Sequence, residues 1–282
     1  GPETTPQLTR LAEHGTLFEE AQSSSSWTWP STASLLTGLG VDEHGVRDAE
    51  ACYLNGSVET LSEVLQARGY TTAGYSGNPL IVAERNYDQG FEFFRGSRSG
   101  FTPSSSIVPE AMSWMRERRG ERFFLYLHLI DPHDPHHPMP EFEEQFAFAQ
   151  PEDFEDHGMT RYAKALNEDS LGSEQVPATH ARRIDNIYDA SVATGDHWLG
   201  VVLDTLDDLN LSDETIVVFT SDHGEQLGDH HLLGKMGYFD QSYHIPMIVR
   251  DPEARADVSR GNVVQEFTET IDTMPTILNW LG

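Results

Sequence analysis

Asp222 and His223 stand together after Thr215-Ile216-Val217-Val218-Phe219 and before Gly224. They offer a carboxylate and an imidazole, donors common to zinc, manganese and iron sites. The apolar run before them reads as a buried parallel strand, and ligands of open α/β sheets bind beyond such strand ends. The pair also reads as a helix cap with a packed histidine, so its weight depends on what accompanies it. Thr28 is the second candidate, since it precedes Pro30-Ser31-Thr32-Ala33-Ser34, where a proline and small residues start a helix. The free N–H groups and dipole of that helix end favour an anion. A hydroxyl there can be a nucleophile if a metal lowers its pKa, or it can serve only as the cap.

Two loops add anion-binding candidates. An apolar strand, Arg122 to His128, empties into a loop carrying His133, His136 and His137, a density that points to metal or anion binding or to exposed surface histidines. The second loop, Leu227 to Lys235, holds His230, His231 and one of only two lysines. A lysine on a loop of so acidic a chain is a candidate for holding an anion. Asn78 follows the strand Thr71 to Ser76 and can donate to a substrate oxygen, or serve plain turn chemistry before Pro79.

These residues need a scaffold, and the pattern supplies one. Helical stripes are expected from Pro6 to Gly15, over Ser57–Arg68, over 109–119, over His180–Leu209 with interruptions near Gly195 and Gly200, and over Thr273–Leu281. Strands are expected at Thr71–Ser76, Arg122–His128, Thr215–Phe219 and Ile245–Arg250. Helix and strand alternate, so the class is α/β, a single domain with a central, largely parallel β-sheet flanked by helices on both faces. Residues 139–176 are acidic with mixed periodicity and read as an irregular insertion on the substrate side.

With 282 residues the chain can build a sizeable core. Its 46 acidic against 18 basic residues give a formal charge of −28. Such a surface repels nucleic acid and anionic membranes, so neither is an expected partner. The acidity and scarcity of lysine resemble proteins of salt-loving organisms, an ordinary acidic enzyme being the other reading. The lone Cys52 excludes an internal disulfide. No run of about 18 apolar residues and no basic-then-apolar leader is visible, and a cytoplasmic location is favoured.

Taken together, Thr5-Pro6 with Leu8 and Leu11, Pro30 to Gly38, Asp131-Pro132-His133, Phe219 to Glu225, and Gly234-Lys235 before Ile245 to Arg250 resemble the sulfatase family of the alkaline phosphatase superfamily. Residues 220–250 are most similar to its phosphonate monoester hydrolase and phosphodiesterase branch. The resemblance implies a hydrolase of phosphate, phosphonate or sulfate esters working at a divalent metal, with manganese, zinc, calcium or magnesium all open. It implies Asp222 and His223 as metal ligands and His133 and Lys235 as contacts to the substrate oxyanion or leaving group. Asn78 is a weaker match of the same kind, and His230 or His231 is added by position only. Thr28 falls where sulfatases carry the cysteine or serine that becomes formylglycine. Threonine cannot supply that aldehyde, so no formylglycine is expected, and Thr28 itself becomes the expected nucleophile and a third metal ligand.

Two departures bear on this expectation. Thr32 stands where the family pattern has an arginine. The strand that opens family members and carries metal-binding aspartates has no counterpart, and neither has the smaller carboxyl-terminal subdomain, so the domain reads as incomplete at both ends. The alternatives are a catalytically incomplete homologue that binds anion or metal without turnover, and a sulfuric ester hydrolase using threonine directly.

Overall fold

The computed structural model describes residues 3–146, 178–235, 237–253 and 256–282. The chain runs α1 (Pro6–Glu13), β1 (Thr16–Phe18), β2 (Ala21–Gln22), α2 (Thr28–Thr37), α3 (Val41–His44), α4 (Leu61–Ala67), β3 (Thr71–Ser76), β4 (Phe93–Arg95), α5 (Ser104–Glu117), β5 (Phe123–His128) and α6 (Pro140–Gln145). It continues through α7 (Ala178–Asp208), β6 (Val217–Thr220), β7 (Gln226–Leu227), β8 (Leu233–Gly234), α8 (Asp240–Tyr243), β9 (Met247–Arg250), β10 (Asn262–Val264), β11 (Thr268–Glu269) and α9 (Thr273–Leu281).

β5 shows how the sequence sets the layers. Phe123, Leu125 and Leu127 pack against Ile107, Met112 and Met115 of α5 and their neighbours on α7. Tyr126 instead joins the cluster of Trp29, Ala33 and Leu36 on α2, and Phe124 joins Leu61, Leu65 and Met274 from α4 and α9. This two-residue alternation belongs to a strand covered on both faces, so helices lie on both sides as expected. α1 and α7 complete one layer through Leu11, Leu199 and Leu203, which meet Ile248 of β9.

The strands form a three-stranded ladder, β4-β3-β5, and a four-stranded one, β10-β1-β9-β6. β3 is parallel to β4 and β5, and β1 to β10, whereas β9 runs antiparallel to both β1 and β6. β6 therefore ends a ladder and pairs antiparallel, where the apolar run predicts a buried parallel strand. Its side chains are only half-buried, as befits a strand paired on one side.

Helix boundaries moved where turn chemistry decides them. α4 starts at Leu61 because Thr60 and Glu63 form a reciprocal capping box, leaving 57–59 outside. α5 starts at Ser104, five residues ahead of Pro109, which lies inside the helix. α7 is continuous through both glycines: a Cβ at Gly200 would crowd the Gln7 side chain, while Gly195 faces Asp131 at ordinary contact distance. Of the acidic stretch 139–176, α6 accounts for Pro140–Gln145, and 147–176 lie outside the described residues. Among the described residues, no helix is long and apolar enough to cross a membrane.

Candidate active site

Four chain segments deliver polar groups to one place. Thr28 is the first residue of α2, with Trp27 as its extended N-cap, so the hydroxyl sits in the helix's first turn rather than upstream of it. Asn78 lies two residues beyond β3, His128 closes β5, and Asp222 and His223 follow β6. All are at strand or helix ends, where backbone leaves the sheet and side chains can converge.

Thr28 is fully buried. Its Oγ1 lies 3.5 Å from His223 Nε2 and takes a long hydrogen bond, 3.5 Å, from Asn78 Nδ2. His223 Nε2 is 3.7 Å from Asp222 Oδ2, and His128 Nε2 is 4.0 Å from the same oxygen. Asp222 Oδ2 is buried without a hydrogen-bond partner. Burial alone would raise the pKa of Asp222, but Lys235 and the positive charge that His223 and His128 carry when protonated at low pH outweigh it and hold the carboxyl at about 2. The group is therefore an anion, and its free oxygen faces nitrogen.

The backbone fixes which nitrogen is available. His223 Nδ1 lies 2.8 Å from the Gly224 carbonyl, which can only accept, so the proton sits on Nδ1 and the Nε2 lone pair faces Thr28 and Asp222. Burial lowers the pKa of His223 and keeps it neutral. Gly224 is required by its surroundings, since a Cβ there would stand 2.0 Å from the Gln241 carbonyl oxygen. Its N–H donates to Ser242 O at 3.0 Å, which locks the turn carrying both residues.

Lys235 and His133 meet on a second side. Nδ1 of His133 bonds to the Asp134 carbonyl, so its Nε2 is the acceptor for Lys235 Nζ. Burial, then Lys235, pushes the His133 pKa down to about 3, leaving lysine the charged member. Lys235 is itself lowered by burial, against the pull of Asp222, Glu225 and Asp134.

His230 is exposed on a tight turn, its ring stacked 3.8 Å from Phe239. His231 falls in the same turn, and its side chain lies outside the described residues.

Three further residues, His128, Tyr126 and Glu225, join these without a sequence motif that singles them out. His128 faces Asp222, and the Tyr126 hydroxyl lies 2.9 Å from His128 Nδ1. Burial raises the Tyr126 pKa, so the phenol keeps its proton and is a donor available to Nδ1; in the tautomer that accepts it, the Nε2–H of His128 is on the Asp222 side. Glu225 is pushed up to about 7, first by burial, then by Asp134 and Asp222 against Lys235. The signal for His128 was its place at the end of an apolar strand, the same logic that singled out Asp222.

Among the described residues, no three His, Cys, Asp or Glu side chains form a group that would hold a metal ion. The fit is by kind rather than number. An orphaned carboxylate oxygen, an imidazole lone pair fixed by its neighbour and a hydroxyl are the donors a divalent cation takes.

The Sulfatase family model matches residues 1–282. The multifunctional alkaline phosphatase superfamily protein PehA of Trinickia caryophylli is 36% identical over 351 residues, covering 99% of this chain and 68% of its own length. An arylsulfatase of Clostridium perfringens is 24% identical, with 98% of this chain and 69% of its own covered. Among solved structures, the phosphonate monoester hydrolase of Agrobacterium radiobacter superposes with a TM-score of 0.78 at 23% identity, over 99% of this chain and 69% of that one. The enzyme of the same description from Silicibacter pomeroyi gives 0.77 at 22% identity, over 99% and 68%. A match along the whole length, joined to one relative at more than a third identity, places this chain in the sulfatase family of the alkaline phosphatase superfamily.

Proposed function

We propose that the chain is a metal-dependent hydrolase of small anionic esters, phosphorus esters in the first place, with Thr28 as nucleophile. The observation that carries this is Thr28 Oγ1 in a helix's first turn, 3.5 Å from both the Nε2 of His223 and the amide of Asn78. PehA, itself described as a multifunctional alkaline phosphatase superfamily protein, supports reading several ester types.

Asp222, His223 and the Thr28 hydroxyl would hold a divalent cation, which would acidify that hydroxyl and offset charge on the ester oxygens. Thr28 Oγ1, releasing its proton to solvent water, attacks phosphorus in line as the bond to the leaving oxygen breaks. Lys235 Nζ, less basic than usual through burial, gives the departing alkoxide its proton, and His133 Nε2 holds the ammonium in place. Asn78 Nδ2 donates to the oxygen that bridges threonine and phosphorus. Water then cleaves the phosphothreonine, releasing phosphate and restoring the hydroxyl.

Two observations favour a second reading, in which the chain binds an anion or metal without turnover. Thr28 is fully buried, and no three metal-ligating side chains converge among the described residues. One experiment separates the two: metal content and hydrolysis of aryl phosphate mono- and diesters, an aryl phosphonate and an aryl sulfate in high salt, for wild type and Thr28→Ala. Metal binding with phosphorus-ester turnover that vanishes in Thr28→Ala is the expected result. Turnover surviving in Thr28→Ala removes the nucleophile assignment, and sulfate turnover above phosphate turnover moves the substrate class.

A further inference from the structure

The organic end of an ester must lie beside whatever holds its anionic end. Phe101, in the segment 96–103 between β4 and α5, places its ring 4.7 Å from that of His133, inclined at 46°. His133 is the acceptor of Lys235 Nζ, so the phenylalanine ring adjoins the buried cation's partner. The ring is 44% exposed and belongs to none of the apolar clusters found among the described residues. An aromatic face is thus left open to solvent where burial in the core would have been the favoured fate.

Its position is tied to the opposite side of the site. The Thr102 N–H donates to Gly77 O at 2.9 Å, and a Cβ on Gly77 would stand 2.6 Å from the Thr102 carbonyl oxygen. The segment bearing Phe101 therefore lies directly on the turn bearing Asn78, whose amide reaches Thr28. Ring, cation and hydroxyl are fixed relative to one another through Phe101, His133 and Lys235 on one side and Thr102, Gly77 and Asn78 on the other.

We propose that Phe101 is the contact for the alcohol portion of the ester and that it selects flat aromatic leaving groups over small alkyl ones. The inference rests on the reading of Lys235 and Thr28 as the anion-holding side. An offset or edge-on aromatic pair adds about 0.5–1.5 kcal/mol beyond area burial, which corresponds to a preference of roughly twofold to tenfold.

The test measures binding of phenyl phosphate and methyl phosphate by calorimetry in the Thr28→Ala background, where turnover cannot consume them. Phenyl phosphate is expected to bind up to about tenfold more tightly, with the preference lost on adding Phe101→Ala or Phe101→Leu and kept with Phe101→Tyr. Leucine retains bulk but no ring, so it separates stacking from simple filling. A phenyl preference that survives Phe101→Ala, or no preference at all, overturns the role of Phe101 while leaving the anion site standing. Failure of both phosphates to bind in this background, together with failure of either to compete with substrate in the enzyme that keeps Thr28, overturns the anion site and this inference with it.

Discussion

Asp196, in the middle of α7, caps α1 across 188 residues of sequence: its Oδ1 accepts the Leu8 N–H at 2.8 Å, and its Oδ2 accepts that of Gln7 at 2.9 Å. The nominal N-cap, Thr5, makes no side-chain cap bond, so the first-turn donors that a local cap would satisfy are served from another helix. Removing both acceptors in Asp196→Ala is expected to cost about 2 kcal/mol, read as an earlier midpoint in urea. Burial raises the pKa of this carboxyl in spite of the two N–H donors. A raised folded pKa means the folded state holds the proton more tightly, so the group's contribution is complete below its unfolded pKa and is lost as pH rises through the folded one. Asp196→Asn keeps an acceptor without the charge, so wild type should lose stability relative to it as pH climbs through and above the carboxylate range. A gap independent of pH would show that Asp196 does not titrate differently on folding.

Thr28 gives the sharpest catalytic expectation. Thr28→Ser keeps an oxygen on the same helix turn and should retain turnover within about tenfold, whereas Thr28→Ala should lose about a thousandfold or more. Rapid quench of wild type with a labelled phosphate ester should trap label on Thr28. Label trapped on another residue would reassign the nucleophile.

The parts legible in sequence are those set by local pattern. Thr71–Ser76 is a strand with the bounds its residues announce, and β5 announces itself through six residues whose alternating sides face two helical layers. Asp222, His223, Thr28 and Asn78 were legible because each stands at the end of such an element. What the pattern missed depends on partners far away in the chain. Nothing near Val217–Thr220 reveals that it pairs antiparallel with β9 at the end of a ladder. Tyr126 and His128 read as ordinary strand residues, and only the approach of Asp222 gives them a role.

That role predicts a graded effect. Tyr126→Phe removes the hydroxyl partner of His128 Nδ1 and leaves that nitrogen largely buried without a hydrogen bond, which should cost about 1–3 kcal/mol of stability. If His128 orients Asp222, metal affinity should fall about tenfold or more as well, as for other partners of metal ligands. His128→Gln, which can present an N–H toward Asp222, should recover much of that affinity compared with His128→Ala. Calorimetric titration with manganese or zinc reads this without any turnover, and equal affinities in all three variants would reduce the pair to a packing role.

Gly224 tests whether the turn itself, rather than any one side chain, assembles the site. Its Cβ position is 2.0 Å from Gln241 O and 3.2 Å from His244 O, both backbone atoms that no side-chain rotation can clear. Gly224→Ala must therefore push the 221–224 turn away from the 241–244 segment, breaking the 3.0 Å bond from the Gly224 N–H to Ser242 O. The cost should be about 3 kcal/mol or more, the range of severe overpacking plus a lost buried hydrogen bond. Because His223 Nδ1 takes its direction from the Gly224 carbonyl, the imidazole should lose its fixed tautomer at the same time. The expectation is a protein that melts earlier and, at temperatures where it is still folded, binds metal more weakly than wild type. Weaker melting with unchanged metal affinity would mean that Asp222 and His223 are held by β6 alone.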